Sequence, residues 1–316
     1  MMDLVFCGTP LFAVPTLEKL VCAGFRVKLV ATQPDRPSGR GMQLTASPVK
    51  QTALALDLPI TQPEKVKSIA EFRAQLGSIA PDVIVVVGYG RIIPQWMIDL
   101  PRLGNINLHG SLLPKYRGAA PIQWAIASGE NITGVTTMRI DAGLDTGDIL
   151  LQAEERIKPE DTALTLAPRL AQTGAELMIA TLAGLASGSI TPRPQENAKA
   201  TLAPILKRED GLIDFSRSAV EAWNRLRGFQ PWPGAFTGFR GKMLQLHSAV
   251  HVSRAPAVPG HFTIEDDRLL LGFAHDTALE VQELQVEGKR RMNARDFING
   301  YRPTSGDVLG SEREAN

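Results

Sequence analysis

The 316-residue sequence predicts an α/β chain in two parts: a mostly parallel sheet with right-handed helical crossovers, then a small β domain. Three observations carry this. Strand and helix signals alternate from the first residues to about residue 188. Val83–Val87 is a continuous apolar run, the pattern of a strand covered on both faces. After about residue 206, short β-like runs separated by turn residues take over.

Leu4–Cys7 reads as the first strand, and Gly8-Thr9-Pro10 turns the chain into a helix that reaches Gly24, with Thr9 as cap and Pro10 at the first helical position. Phe25–Thr32 is the second strand; Pro48–Leu56 and Val66–Leu76 are helices. Beyond Val83–Val87 come a helix at Ala120–Ser128, strands at Gly134–Ile140 and Asp148–Glu155, and a long helix over Thr162–Leu185 that Ser187-Gly188-Ser189 ends. Thr191-Pro192-Arg193-Pro194 and the polar residues to Thr201 have linker composition, so the domains are placed at 1–188 and 207–316, joined by 189–206. In the second, Ala219–Arg227 is helical, and Met243–Val252, His261–Ile264, Leu269–Gly272 and Leu279–Val286 are short strands that suggest a small barrel. Composition alone does not choose that barrel over another small β fold.

A formal net charge of +1 argues against a protein that coats polyanions along its whole surface, while leaving room for a local basic face. The two cysteines, Cys7 and Cys22, sit in apolar settings and are expected to be buried thiols. No metal-ligand spacing occurs; His247 and His251 can share a strand face but have no cysteine or acid nearby. The N-terminus runs straight into a strand without a charged and apolar leader, and no apolar run approaches membrane-spanning length, so a cytoplasmic setting is expected. Gly8-Thr9-Pro10 lacks the spacing of a dinucleotide-binding turn, and no lysine-bearing phosphate loop is present.

The richest stretch is Asn105 to Gly118. Asn107 and His109 alternate with Ile106 and Leu108, so on a strand they project from one face. An amide donor beside a titratable ring suits a reaction in which a carbonyl oxygen becomes an oxyanion. A lone Asn-x-His is weak evidence. Downstream, the loop 141–148 offers an acid, Asp145, that can fold back on the imidazole, although Asp-Thr-Gly-Asp is also an ordinary turn. Asp148 is read as structural.

Asn-x-His-x-Ser-Leu-Leu-Pro at 107–114, followed by Leu-Asp-Thr-Gly-Asp at 144–148, resembles the signature of the 10-formyltetrahydrofolate-dependent formyltransferase family. Phe6–Pro10 with Phe12-Ala13, Gln33–Gly41, Arg227–Ala235 and Glu287–Met292 resemble the family members whose acceptor is methionyl-tRNA, and the likeness covers nearly the whole chain. It implies a Rossmann-like formyltransferase domain followed by an OB-like β-barrel that binds tRNA. The implied reaction transfers the formyl group of 10-formyltetrahydrofolate, as co-substrate, to the free amino group of methionyl-initiator tRNA, without a metal. The implied catalytic residues are Asn107, His109 and Asp145. Ser111, Leu112, Leu113 and Pro114, with Val87, Gly88, Tyr89 and Gly90, would contact the tetrahydrofolate. The family often has alanine where Gly88 stands, and that exchange is expected to change little; Tyr89 has a packing alternative.

Gln33–Lys50 is long and basic, and the likeness makes it a tRNA-facing loop with Arg40 leading and Arg36 second. Lys289, Arg290 and Arg291, with Lys207, Arg208, Arg240 and Lys242, can line a phosphate-tracking face. Trp232, between two prolines, reads as a rigid packing hinge. The chain is expected to act as a monomer in translation initiation. The rival readings are a related enzyme with a small acceptor, such as a nucleotide-sugar amine or a purine precursor, and a catalytically silent RNA-binding protein.

Overall fold

A computed structural model describes residues 2–38, 43–66, 70–253, 257–304 and 306–310. The chain divides into two compact units: residues 1–121, 132–156 and 166–204 form the first, and 122–131, 157–165 and 205–316 the second.

The first unit holds strands β1 (Asp3–Gly8), β2 (Arg26–Ala31), β3 (Arg36–Ser38), β4 (Gln43–Thr45), β5 (Ile60–Thr61), β6 (Val83–Val87), β7 (Asn105–His109), β8 (Ile132–Arg139) and β9 (Ile149–Arg156). Its main sheet runs in the order β5-β2-β1-β6-β7-β8-β9. β5, β2, β1, β6 and β7 are parallel, as the alternating pattern predicts; β8 and β9 are antiparallel. Strand order reverses between β1 and β6, the switch point where open α/β sheets bind ligands beyond their carboxyl ends. All of β6 is buried, which explains why it lacks polar alternation.

Helix α1 (Val14–Cys22) follows a 3-10 turn at Leu11–Ala13 and buries Thr16, Leu17 and Leu20. Thr9 is not its cap. Its hydroxyl instead donates to Tyr89 O at 3.2 Å, tying the β1 exit to the β6 exit. Cys7 is buried in the sheet, and desolvation pushes its thiol up. Cys22, expected to be buried, is exposed. It lies two residues past Leu20, about 200° round the helix from the buried stripe. Two shorter helices, α2 (Pro48–Ala55) and α3 (Ala70–Ile79), follow; residues 67–69 of the expected second helix lie outside the described residues. α4 (Gln95–Ile98) precedes β7, and α5 begins at Pro121 and runs to Ala127. Most of α6 (Ala163–Ser187) belongs to this unit. A Cβ at Gly174 would sit 2.6 Å from Leu108 Cδ2, so glycine lets α6 press on the apolar face of β7.

The second unit carries β10 (Ala235–Phe239), β11 (Lys242–Ser253), β12 (Phe262–Glu265), β13 (Arg268–Phe273), β14 (Thr277–Val286) and β15 (Met292–Asn293), all antiparallel, in the order β10-β11-β14-β13-β12 with β15 on β14. Among the described residues these pairings make one antiparallel sheet, and none joins β10 to β12. Helix α7 (Ala219–Gly228) is opened by a Ser218/Glu221 capping box. Arg227 on α7 is buried, donates to Asp161 O at 2.8 Å and Asn224 Oδ1 at 2.6 Å, and lies 3.9 Å over the Trp223 ring. The last helix, α8 (Ala294–Tyr301), has no counterpart in the sequence reading. Asn293 caps it, and Phe297 packs against Phe239 and Phe262.

Two readings of this unit are corrected. Trp232 is 54% exposed, so it is no packing hinge; Phe229, three residues earlier, fills the interior instead. Register shifts near Ser248 interrupt β11 between His247 and His251. His247 donates to Gln285 Oε1 and His251 lies against the Trp223 ring. Among the described residues no helix of the chain is long and apolar enough to cross a membrane.

Candidate functional site

β7 is placed between parallel β6 and antiparallel β8, with Val86 beside Asn107 and His109 opposite Thr136. The period of two puts Asn105, Asn107 and His109 on one face. Asn105, which sequence reasoning passed over, is buried and donates to Met97 O and Ile98 O, satisfying the carbonyls that end α4. Asn107 is half-buried, and its side-chain amide meets no hydrogen-bond partner among the described residues.

His109 is 5% exposed. Its Nε2 lies 2.8 Å from Tyr116 O; a carbonyl can only accept, so Nε2 carries the proton. Nδ1 faces Asp145 Oδ2 at 3.7 Å, within ion-pair range but too long for a direct hydrogen bond. The nitrogen left to gain or lose a proton is therefore Nδ1, on the carboxylate side. Asp145 has φ +52° and its Oδ2 accepts from Gly118 N at 2.8 Å. Gly118 has φ +126°, and a Cβ there would lie 2.5 Å from Ala203 O. Backbone groups of the 116–118 segment thus hold both titratable groups.

The Ser111–Pro114 turn is ordered by Thr136, whose hydroxyl donates to Ser111 O at 2.7 Å and accepts from Leu113 N at 3.1 Å. Gln152 adds a bond to Leu113 O at 2.9 Å. Leu113 is buried with Met138 and Ile149, whereas Leu112 and Pro114 are partly exposed. Ser111 Oγ donates to Lys115 O at 2.6 Å.

Because β6 and β7 are parallel, Val87–Gly90 leaves the sheet at the same edge as His109. The Tyr89 ring is buried among Val5, Cys7 and Phe72, and burial pushes its phenol up; its carbonyl is bound by Thr9 and Gln33. Gly88 has φ +55°, and a Cβ would stand 2.8 Å from Pro10 Cγ. Alanine there is not neutral in this chain: the left-handed conformation costs roughly 1–2 kcal/mol, and the Pro10 ring must shift.

The basic segment carries the antiparallel pair β3–β4, with Arg36 opposite Thr45. Its base is pinned by Lys50, which donates to Asp35 at 2.6 Å and Gln62 at 2.8 Å, so the Asp35 carboxyl is held below the usual carboxylate range. Arg36 is exposed. Arg40 lies outside the described residues. In the second unit, Lys289, Arg290 and Arg291 occupy the exposed turn between β14 and β15, where Arg291 is paired with Glu283. Lys207 is exposed, 4.0 Å from Glu209. Arg240 does not offer a free cation: Asp307 takes its guanidinium at 2.6 and 2.7 Å. Among the described residues no three His, Cys, Asp or Glu side chains converge as a metal site would require.

A free amide and a carboxylate-backed imidazole at the carboxyl edge of a switch-point sheet define a class: an α/β enzyme site built to stabilise charge on a carbonyl oxygen and to move one proton. Comparison with known proteins gives the family. The formyl transferase model matches residues 2–182, and the formyl transferase C-terminal domain model matches 205–302. The chain belongs to the formyl transferase family. It is 69% identical, over 98% of its length and 99% of the relative's, to a methionyl-tRNA formyltransferase of Koribacter versatilis (strain Ellin345). A methionyl-tRNA formyltransferase of Acidobacterium capsulatum is 63% identical over 95% of this chain and 96% of that one. In fold it is similar to the N-formyltransferase from Helicobacter canadensis, solved with folinic acid and dTDP-3-aminofucose. The TM-score is 0.67 at 19% identity, covering 89% of this chain and 99% of that one.

Proposed function

We propose that this chain transfers the formyl group of 10-formyltetrahydrofolate to the amino group of methionine on initiator tRNA, giving N-formylmethionyl-tRNA for translation initiation. The observation that carries the chemistry is the grouping of Asn107, His109 and Asp145 at one sheet edge. The choice of acceptor rests on the near-full-length likeness to two methionyl-tRNA formyltransferases.

The neutral amine attacks the formyl carbon, forming the new C–N bond and placing negative charge on the formyl oxygen. Asn107 donates its amide hydrogen to that oxygen with no change of protonation. The amine proton passes to His109 Nδ1, where the Asp145 carboxylate, 3.7 Å away, stabilises the imidazolium. The C–N bond to the folate then breaks, and its nitrogen takes up a proton, releasing tetrahydrofolate. Ser111–Pro114 and Val87–Gly90, at the same edge, line the folate. No covalent enzyme intermediate and no metal is required.

In this reading residues 1–188 carry the chemistry, 207–316 form an OB-like barrel that binds tRNA, and 189–206 lie between. The 12-residue β11, with its register shifts, supports the barrel, since bulges are how sheets turn corners. Arg36, Arg40, Lys207, Lys289, Arg290 and Arg291 would track tRNA phosphates. The protein would act as a cytoplasmic monomer. The decisive assay supplies 10-formyltetrahydrofolate with methionyl-initiator tRNA, uncharged tRNA, or a nucleotide-linked amino sugar. Formylation of the charged tRNA alone is expected; product with the amino sugar alone would overturn the acceptor assignment.

A further inference from the structure

We infer that Gln195, in the segment whose composition reads as a linker, is a positioning residue for the His109–Asp145 pair. The inference rests on the proposed role of Asp145. The Gln195 amide uses both of its ends on the site. Nε2 donates to Asp145 O at 2.8 Å and Gly147 O at 2.7 Å. Oε1 accepts from Arg117 Nε at 3.0 Å and Nη2 at 2.8 Å. Arg117 is 7% exposed, and it sits between Tyr116, whose carbonyl holds His109, and Gly118, whose N–H holds Asp145.

One side chain therefore bridges the two loops that carry the contacts of the pair. The chemistry selects a primary amide: the two carbonyls need donors and the guanidinium needs an acceptor, all within reach of one planar group. Glutamate supplies no donor, and lysine or arginine supplies no acceptor. The neighbouring backbone reinforces the strap, with Arg117 N donating to Thr201 O at 2.9 Å and Ala203 N donating to Arg117 O at 2.7 Å. Asp145 is at φ +52°, and the Gln195 bond to its carbonyl helps hold the backbone there.

The test is a double-mutant cycle on the full-length protein, read as kcat and as KM for both substrates in formyl transfer to charged initiator tRNA. Gln195→Glu keeps the shape and removes the donors. Alone it is expected to lower kcat on the order of ten- to a hundredfold with both KM values within about threefold, because a misplaced catalytic group costs rate more than binding. In an Asp145→Asn background the same substitution is expected to cost less than about threefold. Equal fold losses in the two backgrounds, or a loss in KM alone, would overturn the inference and leave Gln195 a merely structural bond. Wild-type kcat in Asp145→Asn by itself would instead overturn the role of Asp145, and the inference with it. Should Gln195→Glu fail to fold, Arg117→Lys, which removes the fork holding the Gln195 oxygen, gives the same comparison from the other partner.

Discussion

Gly118→Ala should damage stability and turnover together. Gly118 has φ +126°, where an L side chain is strained, and its new methyl would stand 2.5 Å from Ala203 O. That oxygen cannot retreat freely, because it accepts from Ala120 N at 3.2 Å while Ala203 N holds Arg117 O at 2.7 Å. Backbone strain of this kind costs about 1–3 kcal/mol. Losing one net hydrogen bond adds about 1 kcal/mol. The sum, roughly 2–4 kcal/mol, corresponds to a fall in Tm of about 3–6 °C in a chain of this size. The same shift pulls Gly118 N from Asp145 Oδ2, now 2.8 Å away, and releases one restraint on the carboxylate. Each 1.4 kcal/mol of lost transition-state stabilisation is about tenfold in rate, so a loss of about 1 kcal/mol from that hydrogen bond should lower kcat about fivefold. Thermal unfolding and single-turnover formyl transfer read the two effects separately. A variant with wild-type Tm and wild-type turnover would refute the idea that the 116–118 segment is held against the 201–203 strap.

Asn107→Ala and His109→Ala should each lower turnover on the order of a hundredfold or more with little change in tRNA affinity; an equal loss of tRNA binding would make these residues architectural. Arg240 holds the Asp307 carboxyl from its ordinary 3.8 down to about 2. A depressed carboxylate stabilises the fold above its unfolded value and loses that contribution as pH falls through the folded one. Unfolding midpoints between pH about 4 and about 2 should therefore fall less steeply in Asp307→Asn than in the wild type; parallel curves would show that the pair contributes nothing to acid stability.

Strand periodicity was enough to put Asn107 and His109 on one face, and the unbroken apolar run at Val83–Val87 was enough to bury β6 in a parallel sheet, because both patterns follow from backbone geometry over a few residues. Composition likewise signalled the change to β structure in the C-terminal part. Local sequence marks Thr9 as a cap, but a hydroxyl can serve a distant partner instead, here Tyr89 O. The apolar neighbours of Cys22 do not bury it, because burial depends on which side of the helix meets the core. Helix α8 carries only a short stripe: Phe297, Ile298 and Tyr301 become an apolar face only once Phe239 and Phe262 are across from them.

Local sequence determined most of the longer elements, the shared face of the amide and the imidazole, and, through its likeness to the formyl transferases, the class of chemistry. Tertiary structure alone decided that Nδ1 of His109 faces the carboxylate, that Gly118 N holds Asp145, and that Gln195 and Arg117 join the two loops. The physical reason is separation along the chain. Asp145 lies 27 residues from Gly118 and 50 from Gln195, and neither partner stands in a periodic pattern. Their hydrogen bonds exist only after the sheet and its crossovers have brought the loops to one edge.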